Sequence, residues 1–272
     1  MAAPTVTGMA TLPNPLPKLV TDPSGRTLGL DLPAGELIDA TAEGPWHEPL
    51  LWCADERAVP GAWAALASVP RTVGLLPVVL DVGGGHGGPR QWELAPGEMS
   101  YPGDHDAEEV LAGLWEECAA EGDRWPGLAA APDPDGVPDP ESVAAAVAGS
   151  LLDGGPLKDP RVALVPARRS ADIPTALGWT GPVGHEGDTA RLSAVLRSWE
   201  DRFGIRVVAL GFDHLLLSVA APPATLGEAA AVAAEHFAFC PGALRQGGGT
   251  TLAAYAGSQV LDRPVWHFWW DD

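Results

Sequence analysis

The stretch that decides the fold is WHFWWDD, residues 266–272. It places three tryptophans and a phenylalanine at a position where most chains fray, because terminal residues are usually disordered unless packing holds them. We therefore expect a packed strand that completes the fold. The alternation of side chains along a strand would set Trp266, Phe268 and Trp270 on one face, with His267 and Trp269 on the other.

The pattern upstream of this strand predicts an α+β fold. From residue 161 onward, apolar runs alternate with helical stretches in the order β-α-β-β-α-(α)-β. Asp188 and Thr225 have the character of helix N-caps. This is the order of the split βαβ, or ferredoxin-like, domain. In that domain the aromatic strand would join the same sheet as Val162–Val165.

Three segments organise the chain in this interpretation. Residues 1–25 are rich in proline and lack periodicity, so we expect an irregular arm. Residues 26–158 are expected to form an acidic α+β region, and residues 159–272 a ferredoxin-like domain packed on it. Residues 126–140 hold five prolines and are the best candidate for a linker or an exposed loop.

The net charge of −20 is concentrated in the first half of the chain. Up to residue 159 there are 25 acidic and 7 basic side chains, a net charge of −18, and from residue 160 there are 11 and 9, a net charge of −2. Residues 104–141 contain twelve acids and one base. Such acidity repels nucleic-acid phosphates and favours basic partners, although it also serves solubility. We predict a protein partner with a basic surface and no nucleic-acid ligand.

One helix carries much of this acidity. Asp106 is its predicted N-cap, and apolar residues from Val110 to Cys118 recur at helical spacing on one face. Tryptophans anchor many interfaces, and Trp179 lies in a Gly/Pro-rich loop, as do Trp46, Trp92 and Trp125. The candidate binding residues are Asp104, Asp106, Glu108, Glu109, Glu116, Glu117, Glu121 and Trp179.

Residues 234–240, AEHFAFC, contain the side chains best suited to catalysis or metal binding. His236 and Cys240 are four residues apart and project from one helical face, so they could ligate zinc with His267 or His214 as a third ligand. Glu235 could act as a base. The alternative is a core helix, because the flanking alanines and phenylalanines are apolar and cysteine is often simply buried.

Two further features allow more than one interpretation. Asp213 and His214 occupy a predicted turn, where they could support acid–base chemistry or only shape the turn. Residues 83–88, GGGHGG, follow an apolar strand as phosphate loops do, but they lack the Gly-Lys-Ser/Thr ending and the GxGxxG register. The sequence favours a surface loop there.

Composition also points to a cytoplasmic setting. No apolar run approaches the roughly 18 residues of a membrane helix, and the first residues lack a basic region followed by an apolar one. The three cysteines contain no CxxC pair, which argues against a disulfide framework or a zinc ribbon. We predict a cytoplasmic protein that has no membrane contact and needs no cofactor.

The C-terminal stretch resembles an uncharacterised bacterial family common in actinobacteria, domain of unknown function 4253. The residues that carry the resemblance are Gly178-Trp179, residues 198–204 (SWEDRFG), Gly211-Phe212, residues 234–241 (AEHFAFCP) and residues 266–271 (WHFWWD). They span about the last hundred residues. The resemblance implies neither a reaction nor catalytic residues.

These observations favour a non-catalytic protein-binding module. An immunity-type protein or an accessory subunit of a larger assembly fits this class, with the acidic surface as the contact. The alternative is a hydrolase, metal-dependent or not, that uses the His, Cys and Glu side chains of the C-terminal part.

Overall fold

The computed structural model describes residues 13–67, 73–246 and 251–270. Its strands are β1 (Gly35–Ile38), β2 (Ala40–Thr41), β3 (Gly44–Pro45), β4 (Leu51–Ala54), β5 (Leu75–Asp81), β6 (Pro160–Pro166), β7 (Arg206–Gly211), β8 (His214–Ser218) and β9 (Val265–Trp269). Its helices are α1 (Ala62–Ala67), α2 (Ala107–Cys118), α3 (Pro140–Leu152), α4 (Ile173–Leu177), α5 (Thr189–Phe203), α6 (Leu226–Phe239), α7 (Ala243–Gln246) and α8 (Leu252–Tyr255).

Seven strands form one mixed sheet in the order β1-β4-β6-β5-β7-β8-β9. The β5–β7 pair is parallel, and the other pairs of this sheet are antiparallel. The strands β2 and β3 form a separate two-stranded ribbon. The chain is therefore α+β, as predicted.

Apolar side chains cover both faces of the sheet and build two cores. On β8, Leu215 and Leu217 enter the larger core, whereas Leu216 enters the smaller one. The larger core packs the sheet against α2, α4, α5 and α6, and the smaller core packs it against α1 and α3. The sheet thus lies between two helical layers, since successive strand residues point to opposite faces.

The ferredoxin-like order predicted for residues 159–272 is not confirmed. In the split βαβ order the last strand would lie beside the first, but β9 pairs only with β8 at the edge of the sheet. The strand β5, which belongs to the first half of the chain, lies between β6 and β7 and pairs with both. The predicted division at residue 159 therefore runs through a single continuous sheet.

The aromatic strand β9 does complete that sheet. Trp266 and Phe268 are buried in the larger core, while Trp269 is 40% exposed on the opposite face. The Trp266 ring packs edge-on against Trp199 of α5, with ring centroids 5.5 Å apart. The predicted alternation is present, and Asp271 and Asp272 lie outside the described residues.

Part of the predicted arm is packed, whereas the proline-rich stretch 126–140 is irregular and mostly exposed, as predicted. Residues 1–12 of the predicted arm lie outside the described residues, but Leu16 and Leu19, in a short 3-10 helix, are buried in the smaller core. In the proline-rich stretch 126–140, Ala129 is buried. No helix within the described ranges is both long and apolar enough to cross a membrane.

Candidate functional site

A polar cleft opens at the carboxyl ends of the parallel strands β5 and β7. Asp81 and Gly211 are partners at the last position of this pair. Side chains from the loop after β5, the segment before β6, the β7–β8 turn and strand β9 surround a cavity of about 350 Å³. Crevices at the carboxyl ends of parallel strands are common ligand sites in open sheets.

Asp81 anchors the walls of this cleft. Its side chain is 4% exposed, and its Oδ1 accepts hydrogen bonds from the backbone N–H groups of Gly83 (3.1 Å) and Asp159 (2.8 Å). Its Oδ2 accepts one from the N–H of Lys158 at 3.0 Å. A buried carboxylate needs such donors because its desolvation is costly. Asp81 thereby fixes the glycine loop beside the segment that enters β6.

His214 stands between two carboxylates at the mouth of the cleft. Its Nδ1 lies 3.1 Å from Asp213 Oδ1 and its Nε2 lies 3.9 Å from Asp81 Oδ2. Trp269 Nε1 donates a hydrogen bond of 2.7 Å to Asp213 Oδ2. Burial alone would raise the pKa of Asp213, but the hydrogen bonds from Trp269 and His214 outweigh it and lower this pKa. Asp213 therefore orients the imidazole as an anionic partner.

The strand β9 adds a second imidazole to the cleft. The ring of His267 lies edge-on to that of His214, with centroids 5.9 Å apart. Although His267 is solvent-exposed, desolvation by the cleft walls and the neighbouring His214 lower its pKa, which keeps the ring neutral at pH 7. In the described part of the chain its ring nitrogens have no hydrogen-bond partner.

The glycine loop 83–88 packs against this site and forms one of its walls. His86 stacks on Phe212 of the β7–β8 turn, with ring centroids 4.2 Å apart and planes 2° from parallel. A Cβ atom on Gly83 would lie 2.3 Å from Lys158 Cβ, and one on Gly84 would lie 3.3 Å from Lys158 Nζ. The absence of side chains on these glycines therefore lets the loop close over Lys158.

Glu235, the candidate base, is a structural residue of the larger core. It is fully buried, and Arg202 donates to both of its carboxylate oxygens at 2.8 and 2.6 Å. Trp199 Nε1 and the backbone N–H of Ala129 each donate a further hydrogen bond of 2.6 Å. Because every contact is internal, the carboxylate has no route to a substrate. It instead ties the proline-rich stretch to helices α5 and α6.

His236 and Cys240 also belong to this core. His236 is fully buried among aromatic rings, and burial lowers its pKa to about 3. Its Nδ1 is hydrogen-bonded to the Tyr255 hydroxyl at 3.1 Å, and Cys240 Sγ donates to the Trp269 carbonyl at 3.3 Å. His267 lies on the opposite face of β9, in the cleft, so the structure separates it from the other two candidate metal ligands. The described residues contain no group of three or more His, Cys, Asp or Glu side chains that could hold a metal ion.

The acidic helix α2 has the predicted two faces. Val110, Leu111, Leu114 and Trp115 are buried, and Asp106 caps the helix through the N–H groups of residues 108 and 109. The seven candidate acids are all exposed, and among the described residues none of them forms an ion pair. They are Asp104, Asp106, Glu108, Glu109, Glu116, Glu117 and Glu121.

Most arginines of the C-terminal half pair with carboxylates outside residues 104–141. Arg197 forms two hydrogen bonds with Asp172, and Arg202 binds Glu235. Arg206 reaches the acidic stretch, through Glu141 at its far end. The outward glutamates of α2 therefore keep their charge uncompensated.

Trp179 is not a surface residue. It is 1% exposed, and its Nε1 donates to the carbonyl oxygens of Gly211 (2.9 Å) and Phe212 (3.0 Å). Its ring packs edge-on against Trp270, with centroids 5.5 Å apart. The loop context suggested an exposed ring, but Gly181 leaves space for the indole in the core: a Cβ on Gly181 would lie 2.2 Å from it.

A second cavity, of about 520 Å³, lies at the opposite ends of β5 and β6. Its lining is mostly apolar and rich in proline. Arg197 reaches it with its charge already engaged by Asp172, and its guanidinium lies 5.2 Å from the ring centroid of Tyr101. Among the described residues that line it, unpaired polar side chains do not converge as they do in the cleft.

Sequence reasoning considered the glycine loop, the Asp213–His214 pair and His267 separately. It missed Asp81 and Lys158, which come from segments far apart in the chain. One signal was present, since an acid that ends an apolar strand and precedes a glycine run is well placed to accept backbone hydrogen bonds from that run.

Comparison with known proteins bears on the second half of the chain. No curated protein matches the sequence, and no solved structure matches it. The part that holds most of β6 and all of β7 to β9, with His214 and His267 of the cleft, matches a known family. Residues 161–271 match the model of the family described as Domain of unknown function (DUF4253), as the resemblance predicted.

Proposed function

We propose that this protein acts by binding a partner with a basic surface through the outward face of α2. The observation that carries the proposal is the uncompensated charge of Glu108, Glu109, Glu116 and Glu117, which are exposed on one helix. Electrostatic complementarity of this kind accelerates association and selects partners. We propose that the protein serves, through this binding, as an immunity-type protein or as an accessory subunit of a larger assembly.

Charge and cysteine chemistry each support a narrower part of the proposal. An acidic chain disfavours nucleic-acid phosphates as ligands, so we propose a protein partner. Among the described residues Cys53, Cys118 and Cys240 form no disulfide bond, which suits a reducing, cytoplasmic compartment.

A hydrolase built on Glu235, His236 and Cys240 is less well supported. Each of these residues is buried, and the acid is held by Arg202. A general base must reach the proton that it abstracts, and these side chains have no access to solvent.

The experiment compares two variants that change charge equally. In the first, Glu108, Glu109, Glu116 and Glu117 become Gln; in the control, Glu43, Glu48, Glu56 and Glu98, which are also exposed, become Gln. Binding of a basic test protein is measured by titration at about 0.1 M salt. We expect the α2 variant to bind at least about fourfold more weakly, since exposed ion pairs contribute about 0.2–1 kcal/mol each and four of them are removed. The control should change less than about twofold.

Equal weakening in the two variants would contradict the proposal. It would mean that overall net charge, and not the α2 face, attracts the basic protein. Both variants should retain the thermal stability of the unaltered chain, because none of the eight side chains is buried.

A further inference from the structure

The cleft between β5, β7 and β9 presents hydrogen-bond donors that the protein itself does not use. Lys158 Nζ lies over Gly84, and neither this ammonium group nor the ring of His267 has a hydrogen-bond or ion-pair partner among the described residues. Both side chains line the same cavity. Polar groups arranged around one space, with no protein partner, are the usual feature of a ligand site.

The acidic side chains of the cleft, in contrast, are already occupied. Asp81 accepts three backbone hydrogen bonds, and Asp213 is bonded to Trp269 Nε1 and His214 Nδ1. The side-chain groups of the cleft that still lack a hydrogen-bond partner are therefore mainly donors. The two carboxylates keep their negative charge, but their oxygens already accept hydrogen bonds, whereas the ammonium group of Lys158 and the imidazole of His267 can still donate to an anionic group.

We propose that this cleft binds a small organic anion. Lys158 and His267 hold its phosphate or carboxylate group, and the exposed ring of Trp269 contacts its apolar part. The volume of about 350 Å³ lies within the usual range of roughly 300–1,000 Å³ for small-molecule sites. The stacked pair of His86 and Phe212 closes the loop side of the cleft.

The acidity of the chain does not exclude an anion here. The helix α2 packs against α5 and α6 in the larger core, whereas Leu216, which lines the cleft, belongs to the smaller core on the other face. The inference is thus independent of the α2 surface.

The experiment is a titration of the full chain followed by the indole N–H signal of Trp269, which the Trp269→Phe variant identifies. The probes are inorganic phosphate, acetate, phenyl phosphate and benzoate, each at constant ionic strength set with NaCl. We expect phenyl phosphate, benzoate or both to shift this signal with saturation at millimolar concentration or below. Each should bind more tightly than its counterpart without a ring, and the comparison of the two pairs shows whether the site prefers phosphate or carboxylate.

The matched variants are Lys158→Met and Lys18→Met, which remove the only two lysines of the chain. Lys18 is exposed and lies outside the cleft. Lys158→Met should weaken binding at least tenfold, and Lys18→Met less than twofold. If Lys158→Met does not fold, His267→Asn replaces it and carries the same expectation.

Three results would overturn the inference. One is the absence of any shift beyond that of NaCl with all four probes. The second is equal weakening by the two lysine variants, which would indicate a general charge effect. The third is a folded Lys158→Met or His267→Asn variant that binds as tightly as the unaltered chain.

Discussion

The lack of a side chain at Gly211 gives His214 its place in the cleft. A Cβ atom there would lie 2.0 Å from His214 Cε1, so alanine must displace the ring from Asp213. We expect Gly211→Ala to cost about 1–3 kcal/mol of unfolding free energy, the usual range for overpacking. It should also change the imidazole signals of His214 in an NMR spectrum.

Gly227 provides the matched control for this change. It lies in the first turn of α6, and apart from its chain neighbours and the backbone of its own helix, no described atom comes within 4 Å of the position that a Cβ atom would take. Alanine also favours helices over glycine. Gly227→Ala should therefore be neutral or stabilising by up to about 1 kcal/mol. Unchanged His214 signals in Gly211→Ala would show that the close approach does not position the ring.

The buried imidazole of His236 makes stability depend on pH. Burial lowers its folded-state pKa to about 3 from an ordinary value of 6.5. Above pH 6.5 the residue is neutral in both states. As the pH falls from 6.5 towards 3, His236 is protonated in the unfolded state but stays neutral in the folded state. The unfolding free energy should then fall by up to about 1.4 kcal/mol per pH unit.

The variant His236→Phe tests this dependence. We measure the unfolding free energy of the variant by urea denaturation at pH 7, 6, 5 and 4. Plotted against pH, this free energy should change less steeply than that of the unaltered chain, by the equivalent of about one bound proton. The lost hydrogen bond to Tyr255 adds an offset that does not depend on pH in this range. Identical slopes for the two proteins would contradict the prediction.

At the residue scale, sequence spacing identified chemical groups but not their surroundings. His236 and Cys240 are in the predicted helix, yet aromatic residues brought from α5 and β9 surround the imidazole. His214 and His267 look less distinctive in the sequence and become neighbours through the β8–β9 pair. Burial depends on packing between distant segments, which local spacing does not encode.

At the scale of elements, β9 offers a direct test of the two faces of a strand. Trp266 is 1% exposed and packs on Trp199, Phe203 and His236. Trp266→Ala should cost about 3–5 kcal/mol of unfolding free energy, as buried Trp-to-Ala changes do.

Trp269, on the other face of the same strand, serves as the control. Because it is 40% exposed and donates one side-chain hydrogen bond to Asp213, Trp269→Ala should cost only about 1 kcal/mol. Chemical denaturation measures both values. Similar losses in the two variants would contradict the assignment of Trp266 to the core and Trp269 to the cleft.

Elements with local signals could be predicted well. The caps Asp106, Asp188 and Thr225 accept the expected backbone hydrogen bonds, because capping involves residues only two or three positions apart. The sheet order could not be derived in this way. The insertion of β5 between β6 and β7 depends on pairing across more than eighty residues, as in Val79 with Val162.

At the scale of the whole molecule, the charge asymmetry does not correspond to two separate bodies. The acidic first half supplies β1, β4 and β5 to a sheet whose other strands come from the second half. The family match begins at residue 161 and so includes most of β6 but neither of its neighbours. The matched region by itself thus lacks the strands that flank its own first strand.

The fragment of residues 159–272 should therefore not fold by itself. Without β4 and β5, strand β6 loses both neighbours and β7 loses its parallel partner, which leaves unpaired edges and exposed core residues. We expect poor dispersion in its NMR spectrum and no cooperative thermal transition, whereas the full chain should unfold in a single transition. Mixing the fragment with residues 1–158 should restore dispersion. A fragment that unfolds cooperatively without its complement would instead show that β6 to β9 form an independent domain.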